Sequence, residues 1–251
     1  MLVGYLVRGV KAGLVAGVVF GLFVALVANP LVAFADERAH ADGDDHAADA
    51  AGEGDALSAA ATDAVGVVSG VLWGVFLGAA GFGVAFYFLE PVVPGSGAVR
   101  SYVFGAAGFL TVSVAPWLVL PPAVPGAERA LDPNTATAVY LAATLVGGVA
   151  SLLGMYAYGR VRPSRGRLAA TVASVAPWAA LVAAAVGLVG APAVATPTGV
   201  PADLAAGLTG VVVFGQALLW LVLAGAHARL RDRSVGADPE GRRLAATAGN
   251  R

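Results

Sequence analysis

Residues 64–89 read AVGVVSGVLWGVFLGAAGFGVAFYFL, with no charged side chain in the run. A hydrocarbon core of about 30 Å is crossed by about 20 helical residues. In lipid only helices and closed barrels satisfy their backbone polar groups, and this run is too long and too uniformly apolar for a barrel strand. Five more runs share its character, at 12–35, 102–120, 136–158, 168–190 and 204–226. The expected fold is all-α, a polytopic membrane protein of six transmembrane helices arranged as three helical hairpins. The transmembrane domain is placed at 1–228, with an external acidic loop at 36–63 and a basic tail at 229–251. Its first partner is the lipid bilayer.

Composition narrows the function. Charged residues make up 12% of the chain and hydrophobic ones 58%, against about 25% charged in soluble domains. Six spans leave no room for an ordinary soluble catalytic domain, so an enzyme is not expected. The chain has no Cys, which excludes disulfides and thiolate metal sites. No span carries an Asp, Glu, Lys or Arg near its middle, as a proton antiporter or voltage sensor would. There is no Walker motif for ATP, and no nucleic-acid partner is expected.

The charges are strongly segregated. With the spans as drawn, 13 of the 15 Lys and Arg fall on the side of the two termini, and only Arg38 and Arg129 on the other. The positive-inside rule then makes both termini cytoplasmic, in the plasma membrane. A competing reading takes Arg8, Lys11 and the small residues Ala33-Phe34-Ala35 as a secretory signal. The apolar run is longer than a signal core of about 7–15 residues, which favours a retained helix.

Span 1 carries Gly13, Gly17 and Gly21, and span 2 carries Gly66, Gly70, Gly74 and Gly78. Four-residue spacing puts each set on one helix face, where missing side chains let backbones approach closely. Packing of the two spans against each other is the expected role, and a glycine-lined pore is the alternative. Asn29-Pro30, Ala115-Pro116-Trp117 and Ala176-Pro177-Trp178 put a proline in each outward-going helix. Proline frees the carbonyl four residues back, and such broken helices recur at transport sites. Asn29, Pro116, Pro121, Pro122 and Gln216 are therefore the candidate transport path. The two amides weigh most, because an amide in lipid needs a partner on another helix.

The loop 36–63 is acidic and polar, a composition that predicts disorder unless something binds. Within it, His40, Asp42, Asp44, Asp45 and His46 form a candidate metal site. Imidazole suits Co, Ni, Cu and Zn, and carboxylates add charge and oxygen ligands. The spacing matches no closed structural site, so the site would be weak and exchangeable, suited to an entry funnel. The alternative is a solvated acidic loop of a salt-adapted protein. Glu90 reads as an interfacial acid and His227 as a structural residue at a helix end.

The stretch Ala115-Pro116-Trp117-Leu118-Val119-Leu120-Pro121-Pro122-Ala123-Val124-Pro125-Gly126, with the glycine-rich first span and the His/acid loop, resembles the CbtA family of predicted cobalt transporter subunits. Three features depart from that family, which often has an acid after the double proline where this chain has Ala123, carries a dense His run in the outer loop where this chain has two histidines, and is usually drawn with five spans. The resemblance implies uptake of divalent metal, Co²⁺, linked to cobalamin supply. It also implies a small single-span, His-rich partner like CbtB and no permanently bound cofactor. The reading from another class is a membrane scaffold or assembly subunit with no transport of its own.

Overall fold

The computed structural model describes residues 2–41, 53–122, 131–190 and 201–236. Within these the chain is helical. Five helices are long and apolar enough to cross a membrane: α1 (Leu2–Ala35), α2 (Ala61–Leu89), α3 (Ala98–Trp117), α4 (Pro133–Leu188) and α5 (Ala202–Asp232). Large apolar side chains such as Leu26, Leu72, Phe88 and Leu145 stand exposed on their outer faces. Lipid, not water, makes such a surface stable.

The fourth and fifth apolar runs of the sequence both lie in α4. A straight helix over the 57 residues Pro133–Val189 would reach about 85 Å at 1.5 Å per residue. The chain instead breaks at Gly166, where φ is 79° and ψ −179°, a conformation essentially confined to glycine. A Cβ placed on Gly154 would lie 2.6 Å from the Ser174 carbonyl oxygen. Those two positions can meet only if the chain has turned back between them, so α4 is two arms folded on each other. At its start Asp132 accepts from the N–H groups of Asn134 and Thr135, both at 3.1 Å, with Pro133 in the first turn. This is a well-formed N-cap.

α1 and α2 meet along their glycines in antiparallel register. Gly9 faces Gly78, Gly13 faces Gly74, and Gly17 faces Gly70. A Cβ on Gly74 would come within 2.5 Å of the Gly13 carbonyl oxygen and 2.6 Å of the Gly17 Cα. Close backbone contact of this kind replaces the hydrophobic drive that lipid removes. The tight zone begins at Gly9, one turn before the series read from the sequence. It ends before Gly66, whose nearest neighbour would be a Val24 methyl at 3.2 Å.

The core lies where α1, α2 and α3 converge on α5. Phe82, Phe86, Leu219, Leu223 and His227 are fully buried there, with Phe104, Leu77 and Trp220 beside them. The rings of Phe82, Phe86 and Phe104 sit within 5.9 Å of one another, centroid to centroid. Stacked and edge-on pairs like these add to the area they bury. α4 packs against α3 and reaches this core through Met155.

Three helical segments are widened to π geometry, at Val24–Ala28, Gly78–Ala85 and Leu110–Val114. The first and third run directly into Asn29-Pro30 and Ala115-Pro116. A proline ring clashes with the carbonyl four residues back, and an extra residue in the preceding turn accommodates it.

The expected loop at 36–63 is shorter than its composition implies. Helical backbone runs on through Ala41 and resumes at Glu53, and alanine, frequent in both stretches, is the strongest helix former. Similarly, α5 continues as helix to Gly236, beyond the point where the basic tail was expected to begin.

Candidate functional site

Polar side chains meet at three levels of the bundle. At the end opposite the termini, Asn29 on α1 donates from Nδ2 to the Asp63 carboxylate on α2, at 2.7 Å. Asn29 thus has the cross-helix partner that an amide in lipid requires, and the pair brings in an acid, Asp63, that the candidate path did not contain. Gly66, one turn on from Asp63, leaves room for it, with the Asn29 nitrogen 3.6 Å from where its Cβ would be.

The middle level surrounds Pro116, which is fully buried. Ser113 on α3 points its hydroxyl at Gln216 Oε1 on α5, a long contact of 3.5 Å. Thr111 and Ser151 share a hydroxyl–hydroxyl bond of 3.0 Å between α3 and α4. The carbonyl that Pro116 frees belongs to Val112, and the Tyr140 hydroxyl on α4 donates to it at 2.8 Å. The break is therefore satisfied by protein, as membrane helices require. Of the candidate path, Pro116 and Gln216 come together through Ser113, Asn29 stands apart at the outer level, and Pro121 and Pro122 lie half-buried just past the end of α3.

The third level, at the arginine-rich end, was not anticipated. Glu90, directly after α2, accepts from Arg231 on α5 at 2.6 Å and from Arg100 on α3 at 3.3 Å. It also accepts from the Tyr5 hydroxyl on α1. One carboxylate thus ties four helix ends together. Burial pushes its carboxyl upward, but the Tyr5 hydroxyl and the two guanidiniums outweigh this and hold it below its ordinary 4.5. Beneath it, fully buried His227 shares a 3.0 Å bond through Nδ1 with the Ser101 hydroxyl. Its ring lies 4.8 Å from Phe82 and 5.0 Å from Phe86. The available signal was that Glu90 is the sole acid between α2 and α3, on a side rich in arginine.

Asp42, Asp44, Asp45, His46 and the side chain of His40 lie outside the described residues. Among the described residues no three His, Asp or Glu side chains gather to hold a metal ion.

No curated protein and no solved structure matches the chain. A family model does, described as CbtA, probable cobalt transporter subunit, over residues 3–232. That range takes in every described membrane helix together with all three polar levels, and the chain accordingly belongs to the CbtA family of probable cobalt transporter subunits.

Proposed function

We propose that this chain is the permease subunit of a divalent-metal uptake system, moving Co²⁺ inward across the plasma membrane to supply cobalamin synthesis. The family match over residues 3–232 carries the reading. Six crossings are proposed, with each arm of α4 spanning once and both termini in the cytoplasm, as the charge segregation favours. No enzymatic activity and no permanently bound cofactor are proposed, and the metal is cargo.

A cation would enter from the acidic loop, where His40, Asp42, Asp44, Asp45 and His46 concentrate it. It would pass the Asn29–Asp63 pair, which offers a carboxylate and an amide carbonyl, both oxygen donors. The Ser113–Gln216 contact beside Pro116 is the next polar step inward. The Glu90 cluster is not a cation station, because two guanidiniums on one carboxylate leave it net positive towards a dication. Its proposed role is to hold the cytoplasmic ends of the helices. A small single-span, His-rich subunit like CbtB is proposed as the partner that supplies imidazole ligands to the path.

The test is cobalt accumulation in cells with and without the chain, at low external cobalt. Equal accumulation would overturn the reading. If it survives, His40→Ala with His46→Ala should raise the cobalt concentration for half-maximal uptake and leave the maximal rate intact. The effect should fade below about pH 6.5, where imidazoles protonate and cease to bind metal.

A further inference from the structure

A continuous groove runs between α3 and the two arms of α4. Its deep part is an apolar cavity of about 880 Å³, walled by Leu110, Val114, Val175 and Val186. It continues past Val103, Gly154 and Met155 into a smaller space and opens beside Arg100, Tyr158 and Arg162. From Arg100 to Val114 the groove follows α3 for about 21 Å at 1.5 Å per residue. That is deeper than the half-thickness, about 15 Å, of a bilayer core. One end is hydrocarbon-like and the other is cationic and lies at the helix ends.

We infer that this groove is a binding site for an anionic phospholipid, with its phosphate at Arg100 and Arg162 and its acyl chains along the apolar walls. The charge is complementary. Arg100 and Arg162 both line the mouth of the groove, and the Glu90 carboxylate that Arg100 meets is shared with Arg231. Arg162 is exposed and stacks over the Tyr158 ring at 5.9 Å, which leaves its planar donor fork for a phosphate. Basic pockets between membrane helices at the headgroup level recognise anionic lipids in this way.

The full-length protein, purified in neutral detergent, is titrated with phosphatidylglycerol, phosphatidylcholine or inorganic phosphate, following thermal stability and lipids retained in native mass spectra. Phosphatidylglycerol alone should bind and raise the melting temperature. Arg162→Glu should weaken that binding by roughly ten-fold, without changing the melting temperature in detergent alone, and Arg162→Lys should restore most of it. Ala183→Trp, which fills the cavity, should abolish retention. Should that variant not fold, the two Arg162 variants decide the matter. Equal binding of both lipids, an equal effect of free phosphate, or indifference to Arg162→Glu would overturn the site. So would a membrane-helix partner that wild-type protein holds in the groove and Ala183→Trp loses while phosphatidylglycerol stays bound.

Discussion

At the scale of single residues, Glu90 joins three partners on three other helices, Tyr5, Arg100 and Arg231. Replacing it with Gln removes the charge that two partly buried guanidiniums face, and leaves them to repel each other. Because these groups keep some contact with solvent, the expected loss is about 2 kcal/mol, below that of a fully buried pair. It should register as a lower melting temperature in detergent. The pH dependence has a definite sign. Glu90 ionises more readily folded than unfolded, so its contribution is complete above its ordinary 4.5 and is lost as pH falls through the lower folded value. Wild-type stability should therefore drop in that acid window more than the stability of Glu90→Gln. Equal slopes would mean that the cluster does not hold the helix ends. The sequence pointed to Asn29 and Gln216 because an amide in lipid must find a partner, and both did. It could not point to Tyr5, Arg100 and Arg231 as one cluster, since nothing local encodes the meeting of four helix ends.

Among the elements, the α1–α2 pair depends on backbone contact. Gly74→Leu, and even Gly74→Ala, forces a Cβ against main-chain atoms of Gly13 and Gly17 that no rotamer change can move. Overpacking of this kind costs about 1–3 kcal/mol. Gly210→Ala is the control, because a Cβ there meets nothing within 4 Å. A melting temperature lowered by both changes alike would remove the case for a glycine interface. Gly166 makes a different demand. Space around it is open, so Gly166→Ala should cost only the backbone strain of its positive φ, about 1–3 kcal/mol, loosening the α4 turn without disturbing the core. Protease sensitivity confined to residues 160–170 would register that. The four-residue spacing made the α1–α2 contact legible. The π segments were not, because the sequence shows where a proline sits but not how the preceding turn widens to take it.

At the scale of the whole molecule, the six apolar runs were legible because lipid imposes length and apolarity on every crossing. The merging of two runs into α4 was not, because the four arginines from Arg160 to Arg167 read as a loop while the backbone stays helical up to a one-residue break. Reporters fused at Gly52, at Gly166 and after Gly236 separate the possible topologies. If each arm of α4 crosses, Gly166 and the tail should report the same side and Gly52 the other. Gly166 on the side of Gly52 would leave the hairpin with no crossing of its own.

The central position of α5 also orders events in time. Synthesis runs from the N-terminus, so α1, α2 and α3 leave the ribosome before the helix on which they converge. Until α5 arrives, Phe82, Phe86 and Phe104 lack Leu219, Leu223 and His227, and Glu90 lacks Arg231. The α1–α2 pair can form once both of its helices have emerged, whereas the remaining core must wait for segments made later. A nascent chain stalled after α4 would thus be inserted yet unassembled, with a buried face turned to the bilayer. Membrane quality-control proteases would recognise that state, and the fraction of chains passing through it would set the yield of finished protein.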